Sequence, residues 1–154
     1  MNSTSKTRRQ LLASSAGLGA WLLVRPAAAA PDELAAAISA WSGGASVQRG
    51  RVKLDIAPLV DNGNTVPISV SVASPMTVAD HVTAIAIFNE RNPQRDVARF
   101  TLGPRAGLAA VSTRIRLATT QKLVAVARMS DGSYWSHTVE VIVTLAACLE
   151  GEES

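Results

Sequence analysis

The chain of 154 residues allows one domain, and with 47% hydrophobic but only 4% aromatic residues its core must be built from Ala, Val, Ile and Leu. The net charge of +3 comes from the first 30 residues: Lys6, Arg8, Arg9 and Arg25 account for four of the 15 basic residues and no acid lies there, which leaves 11 basic against 12 acidic residues, a net charge of −1. A body so balanced lacks the basic patch that nucleic-acid binding needs.

Thr7-Arg8-Arg9-Gln10-Leu11-Leu12 is a twin-arginine signature. The apolar stretch from Leu11 to Val24, about 14 residues, is shorter than the roughly 20 that a spanning helix requires. Arg25 and Pro26 break it, and Ala27 to Ala30 offer small-residue cleavage sites. The pattern predicts a cleaved leader over 1–30, export of a folded protein to the bacterial periplasm, a mature chain starting near Pro31, and no stable membrane insertion after cleavage.

Pro31 to Trp41 reads as a short helix, with Pro31, Asp32 and Glu33 in its first turn and Leu34, Ile38 and Trp41 on one apolar stripe. Gly43-Gly44 ends it, so residues 31–44 form a helical segment. Strands follow over 45–145. Val52 to Ile56 alternates, and Asp61-Asn62-Gly63-Asn64 reads as a turn. Val66, Ile68, Val70 and Val72 alternate with Pro67, Ser69 and Ser71. Val82 to Phe88 is continuously apolar; Val97 to Leu102 and Val111 to Leu117 follow. Leu123 to Met129 leads into Asp131-Gly132, a strong hairpin signal. In the last strand Trp135, His137, Val139, Val141, Val143 and Leu145 share one face. About seven short strands with turn signals between them predict an all-β fold, an immunoglobulin-like antiparallel β-sandwich preceded by the short helix. Residues 146–154 are left as a C-terminal arm and acidic tail.

Enzymatic constellations are missing from the sequence: there is no G-x-S-x-G, no H-E-x-x-H and no G-x-x-x-x-G-K-[ST]. His81 and His137 are the two histidines, and with one thiol they make no metal-ligand cluster. His137 reads as a satisfied core or half-buried histidine, and His81 as a loop residue beside Asp80. No cofactor is expected. Cys148 is the only cysteine in a chain bound for an oxidising compartment, so it has no intramolecular disulfide partner. It lies just past the last strand, between Ala146-Ala147 and Leu149. Position alone leaves open a reactive thiol on an arm and a small buried hydrophobe.

Four stretches resemble the SoxY family of thiosulfate-oxidation carriers: Asp61-Asn62-Gly63-Asn64-Thr65-Val66-Pro67, Val72-Ala73-Ser74-Pro75-Met76-Thr77, Val111-Ser112-Thr113-Arg114-Ile115-Arg116-Leu117 and Met129-Ser130-Asp131-Gly132-Ser133-Tyr134-Trp135. The closing run from Val139 to Cys148 is similar in position and character. The resemblance covers about residues 35–148. It implies an immunoglobulin-like sandwich that forms a heterodimer with a small SoxZ-like subunit. It also implies covalent attachment of sulfur substrate at Cys148 through a c-type cytochrome, with a hydrolase and a dehydrogenase as transient partners. On that reading Ala146, Ala147 and Leu149 form the carrier arm, and the protein is a substrate platform and no enzyme. The family's usual ending is Gly-Gly-Cys-Gly-Gly; here it is Ala146-Ala147-Cys148-Leu149-Glu150, followed by Gly151-Glu152-Glu153-Ser154. Alanines keep the arm thin but stiffer than glycines, and the glutamates disfavour a thiolate nearby. The alternative is a SoxZ-pairing assembly module whose cysteine is vestigial or forms intermolecular disulfides.

Overall fold

The computed structural model describes residues 32–145. The leader, Pro31, the arm residues Ala146, Ala147 and Leu149, Cys148 and the acidic tail lie outside the described residues.

Helix α1 spans Glu33–Ser42, so Asp32 precedes it and is not part of its first turn. The reason is chemical: Asp32 is extended, and its carboxylate accepts hydrogen bonds from the amides of Leu34 and Ala35 at 3.1 Å, the N-cap arrangement that aspartate favours. Gly43 terminates the helix at φ 64°, a left-handed conformation that glycine adopts without a Cβ penalty.

The described residues form nine strands: β1 (Val47–Arg49), β2 (Val52–Asp55), β3 (Leu59–Asn62), β4 (Val66–Val72), β5 (Val82–Asn89), β6 (Asp96–Thr101), β7 (Ala110–Ile115), β8 (Gln121–Met129) and β9 (Tyr134–Leu145). They build two sheets. The larger runs β1-β9-β8-β5-β6 with β3 also on β9, and the smaller runs β2-β4-β7. The expected all-β sandwich and N-terminal helix are present. Two features differ from the sequence reading: strands number nine instead of about seven, and the sandwich is not purely antiparallel. The two additional strands, β1 and β3, both pair parallel with β9.

The core lies between the sheets. Val52, Leu54, Ile68 and Val70 face Ile85, Ile87, Leu123, Ala125 and Val141, all buried. Alternation places Ala86, Phe88, Val124 and Val126 on the outer face of the large sheet, and they are buried too. Leu34, Ala37, Ile38 and Trp41 of α1 cover them, with Trp41 edge-on to Phe88 and Tyr134 at centroid distances of 6.2 and 5.5 Å. This explains the sequence of β5 and β8: strands covered on both faces read as continuous apolar runs. The small sheet has no such cover among the described residues, and its outer face carries exposed Lys53, Asp55, Pro67, Ser71, Ser112 and Arg114.

Between β1 and β2 the chain crosses from one sheet to the other through Gly50 and Arg51. Arg51 stands at φ 57°, an unusual conformation for a residue with a side chain. Its guanidinium lies over the Trp135 ring at 5.5 Å and pairs with Asp80 at 3.7 Å. No helix among the described residues is long and apolar enough to cross a membrane.

Candidate functional site: the root of the C-terminal arm

Two residues, Ala146 and Ala147, separate Leu145, the last residue of β9, from Cys148. The described part of the candidate site is therefore the end of β9, and it is held on both edges. On one side β3 runs parallel to it in the register Leu59 with Ile142, Val60 with Val143 and Asn62 with Leu145. The Ile142 amide donates to the Pro58 carbonyl at 2.8 Å, and the Gly63 amide donates to the Leu145 carbonyl at 3.0 Å. The Thr144 hydroxyl donates to the Asp61 carbonyl at 3.1 Å. On the other side the Thr120 hydroxyl accepts from the Val143 amide at 3.0 Å, continuing the edge where β8 begins. Gly63 is buried and joins two strand ends, because its carbonyl also accepts from the Leu117 amide at 2.8 Å.

The loops beside this root are braced by a polar network. Asn89 and Gln121 are buried at 1% and 2% exposure, polar side chains that burial would penalise without partners. The Asn92 Oδ1 accepts from the Ala118 amide and from Gln121 Nε2, while Asn92 Nδ2 donates to the Arg116 carbonyl at 2.8 Å. Gln121 Oε1 accepts from the Arg91 amide, and Asn89 Oδ1 from the Asn92 amide. Arg95 ties the same loop to the Asn92 carbonyl and to Glu33 at the start of α1. Above this network Arg91, Arg114 and Arg116 are exposed. Arg91 has Glu90 at 3.8 Å; Arg114 and Arg116 have no carboxylate partner among the described residues.

The other residues considered from the sequence lie elsewhere and apart. His137 Nδ1 accepts from the Leu54 amide at 3.0 Å, which puts the ring proton on Nε2 and staples β9 to the small sheet. The satisfied histidine of the core or half-buried reading is thus present, its ring bond part-buried and the residue as a whole exposed. His81 faces the Thr77 carbonyl through Nδ1 at 3.0 Å. Among the described residues no group of three or more His, Cys, Asp or Glu could hold a metal ion. Cys148, Ala146, Ala147 and Leu149 are outside them. What the sequence reading missed is the clamp: Asp61 and Asn62 read as turn residues, yet they belong to the strand that fixes the end of β9.

The family profile described as sulfur oxidation protein SoxY matches residues 38–148. The solved sulfur carrier protein SoxY from Chlorobium limicola f. thiosulfatophilum is 31% identical, covering 75% of this chain and 100% of its own at a TM-score of 0.64. The superoxide reductase (neelaredoxin) from Ignicoccus hospitalis is 19% identical over 61% of this chain and 80% of its own, TM-score 0.55. The superoxide reductase from Nanoarchaeum equitans is 14% identical over 62% of this chain and 100% of its own, TM-score 0.53. These two share the sandwich and carry no argument about activity. No curated protein matches the chain. A profile match over most of the chain, joined to a SoxY carrier of the same sandwich at 31% identity, shows that the chain belongs to the SoxY family of sulfur oxidation carriers.

Proposed function

We propose that the protein carries sulfur intermediates covalently on Cys148 and presents them to separate enzymes of sulfur oxidation. The observation that carries this reading is the clamp on β9: the strand is held on one edge up to Leu145 and on the other up to Val143, and the only cysteine follows three residues after Leu145. A carrier needs a rigid body and a short tether. Covalent geometry limits the tether to about 10 Å from Leu145 to Cys148, since each residue extends at most ~3.3–3.6 Å. The loading step joins the Cys148 thiolate to the sulfane sulfur of thiosulfate. A new S–S bond forms, and an electron pair passes to a c-type cytochrome. Water then releases sulfate through a partner hydrolase, and the remaining sulfane sulfur is oxidised by a partner dehydrogenase. The described residues take no part in the bond changes; they hold the arm. The twin-arginine leader supports export, so the work is assigned to the periplasm, with a SoxZ-like subunit as stable partner.

Reconstitution tests this. With the SoxZ-like subunit and the oxidising and hydrolytic partners present, thiosulfate-dependent cytochrome reduction should require Cys148 and disappear in Cys148→Ser. Full activity in that variant would leave the assembly-module reading in its place.

A further inference from the structure

β7 is the outermost strand of the small sheet, since the order β2-β4-β7 leaves it paired only with β4. In an antiparallel pair the N–H and C=O of one residue point to the same side, and successive residues alternate. The Ala109 carbonyl accepts from the Val72 amide at 2.9 Å, and the Leu117 amide donates to the Gly63 carbonyl at 2.8 Å, so the odd-numbered residues turn toward β4 and the turn before it. Ala110, Ser112 and Arg114 therefore turn their backbone groups outward, and no hydrogen bond among the described residues reaches those groups. Asn92 stops this edge: its side-chain amide donates to the Arg116 carbonyl at 2.8 Å and accepts from the Ala118 amide at 3.0 Å, as a neighbouring strand would. The other strand edges are blunted. On β2 the Leu54 amide donates to His137 and the Val52 amide to the Gly50 carbonyl. β6 carries a register break opposite Phe88 and an Asp96–Arg99 ion pair, and β1 and β3 are three and four residues long. Bulges, charges and shortness all keep a sheet edge from pairing. β7 instead runs six residues in unbroken register against β4. Its charge is of one sign: Arg114 and Arg116 are exposed, on the outward phase of β7 and its continuation, because Ile115 and Leu117 are buried. Neither has a carboxylate partner among the described residues, whereas Arg51, Arg91, Arg95 and Arg99 each have one.

We infer that this edge takes an extended segment of a partner protein as a further strand, with carboxylates at alternate positions set against Arg114 and Arg116. Each of the three outward residues offers one N–H and one C=O. In strand addition such main-chain bonds give affinity, and alternate side chains give specificity. Charge selects the occupant, because opposite charges across a strand pair attract and like charges repel. Arg114 and Arg116 are two residues apart on one face, and carboxylates two residues apart on a partner strand repeat with the same period. A second copy of β7 is the wrong partner: residues 110–116 contain both arginines and no acid. The edge is also preset. β4 holds β7 along its length and Asn92 fixes its end, so docking orders little on this side. A segment seated here lies close to the end of β9, because Gly63 accepts from the Leu117 amide and donates to the Leu145 carbonyl. The inference stands on the backbone and charge of β7 and is independent of what Cys148 carries.

The test uses the full chain, kept reduced, and two short peptides that alternate valine with glutamate or valine with lysine. It reads hydrogen exchange at individual backbone amides by NMR. At millimolar concentration and low salt the glutamate peptide should slow exchange several-fold at Ala110, Ser112 and Arg114. Val111, Thr113 and Ile115, whose amides face β4, should not change. The lysine peptide should have no effect. Arg114→Gln/Arg116→Gln should weaken the glutamate peptide's effect several-fold, and so should high salt. Ser112→Pro removes an outward N–H that the β4 ladder does not use, the edge position where proline is tolerated, and should abolish the slowing. If that variant does not fold, the arginine pair decides. No slowing, equal slowing by both peptides, or slowing at the odd-numbered residues instead overturns the inference. Slow exchange at Ala110, Ser112 and Arg114 in the chain alone overturns it too. Slowing that disappears on dilution would assign the edge to a second copy, and slowing that persists would assign it to the chain itself. Because no readout involves sulfur loading, failure here is separable from failure of the carrier reading.

Discussion

Asp131 closes the β8–β9 hairpin by accepting hydrogen bonds from the Ser133 hydroxyl at 2.6 Å and the Ser133 amide at 2.8 Å. The hydroxyl bond, then the amide bond, hold its carboxyl below the ordinary carboxylate range. A depressed folded-state value contributes stability above the unfolded pKa near 3.9, and that contribution is lost as pH falls through the lower folded value. Asp131→Ala should therefore lower Tm at neutral pH, with the difference from the parent closing in acid below that folded value. Asp131→Asn keeps an acceptor and should lose less; thermal melts from pH 7 to pH 2 check both. At the other end of β9, Thr144→Val removes one exposed hydrogen bond to Asp61. The expected cost is about 0.5–1 kcal/mol in chemical denaturation, with faster amide exchange at Gly63 as the local sign.

Among the elements, the braced loops at the arm root make the sharper prediction. Asn92→Ala removes the acceptor of the Ala118 amide and one of the two acceptors of Gln121 Nε2, which keeps the Thr119 carbonyl. The half-buried Ala118 amide is the group left without its partner, at about 1–3 kcal/mol, whereas Asn92→Asp keeps the Oδ1 acceptor and should lose less. Phe88→Ala opens a cavity between the large sheet and α1 and should cost about 3–5 kcal/mol by denaturant unfolding. These elements also show what a sequence can disclose. The apolar stripe Leu34, Ile38 and Trp41 marks α1, and the strict alternation from Val66 to Val72 marks β4, because each pattern is local. The three-residue β1 and the four-residue β3 carry no comparable period. Their stability comes from pairing with β9, and the bond from Thr144 to Asp61 spans 83 residues of sequence. The site divides in the same way. A lone cysteine three residues past the last strand is visible in the sequence, while the clamp on that strand's end depends on Gly63 meeting both Leu145 and Leu117 in space.

The described residues form a sandwich with the outer face of the large sheet covered by α1 and that of the small sheet covered by no described element, and the last strand ends three residues before Cys148. Exposed Leu59 and Ile142, at 55% and 52%, are register partners on β3 and β9 beside that root. Apolar side chains adjacent at the surface favour association, and the proposed SoxZ-like partner would cover them. The chain prepared alone should then self-associate with rising concentration in sedimentation runs, and Ile142→Glu should return it to a monomer. A parent that stays monomeric throughout would argue against stable pairing through this surface.

The carrier claim itself is tested most directly by the intact mass of the protein purified from its native compartment, beside a Cys148→Ser control. The account predicts a sulfur adduct on the parent that a thiol reductant removes and the control lacks. A bare thiol that stays bare after incubation with thiosulfate and the oxidising cytochrome would contradict it.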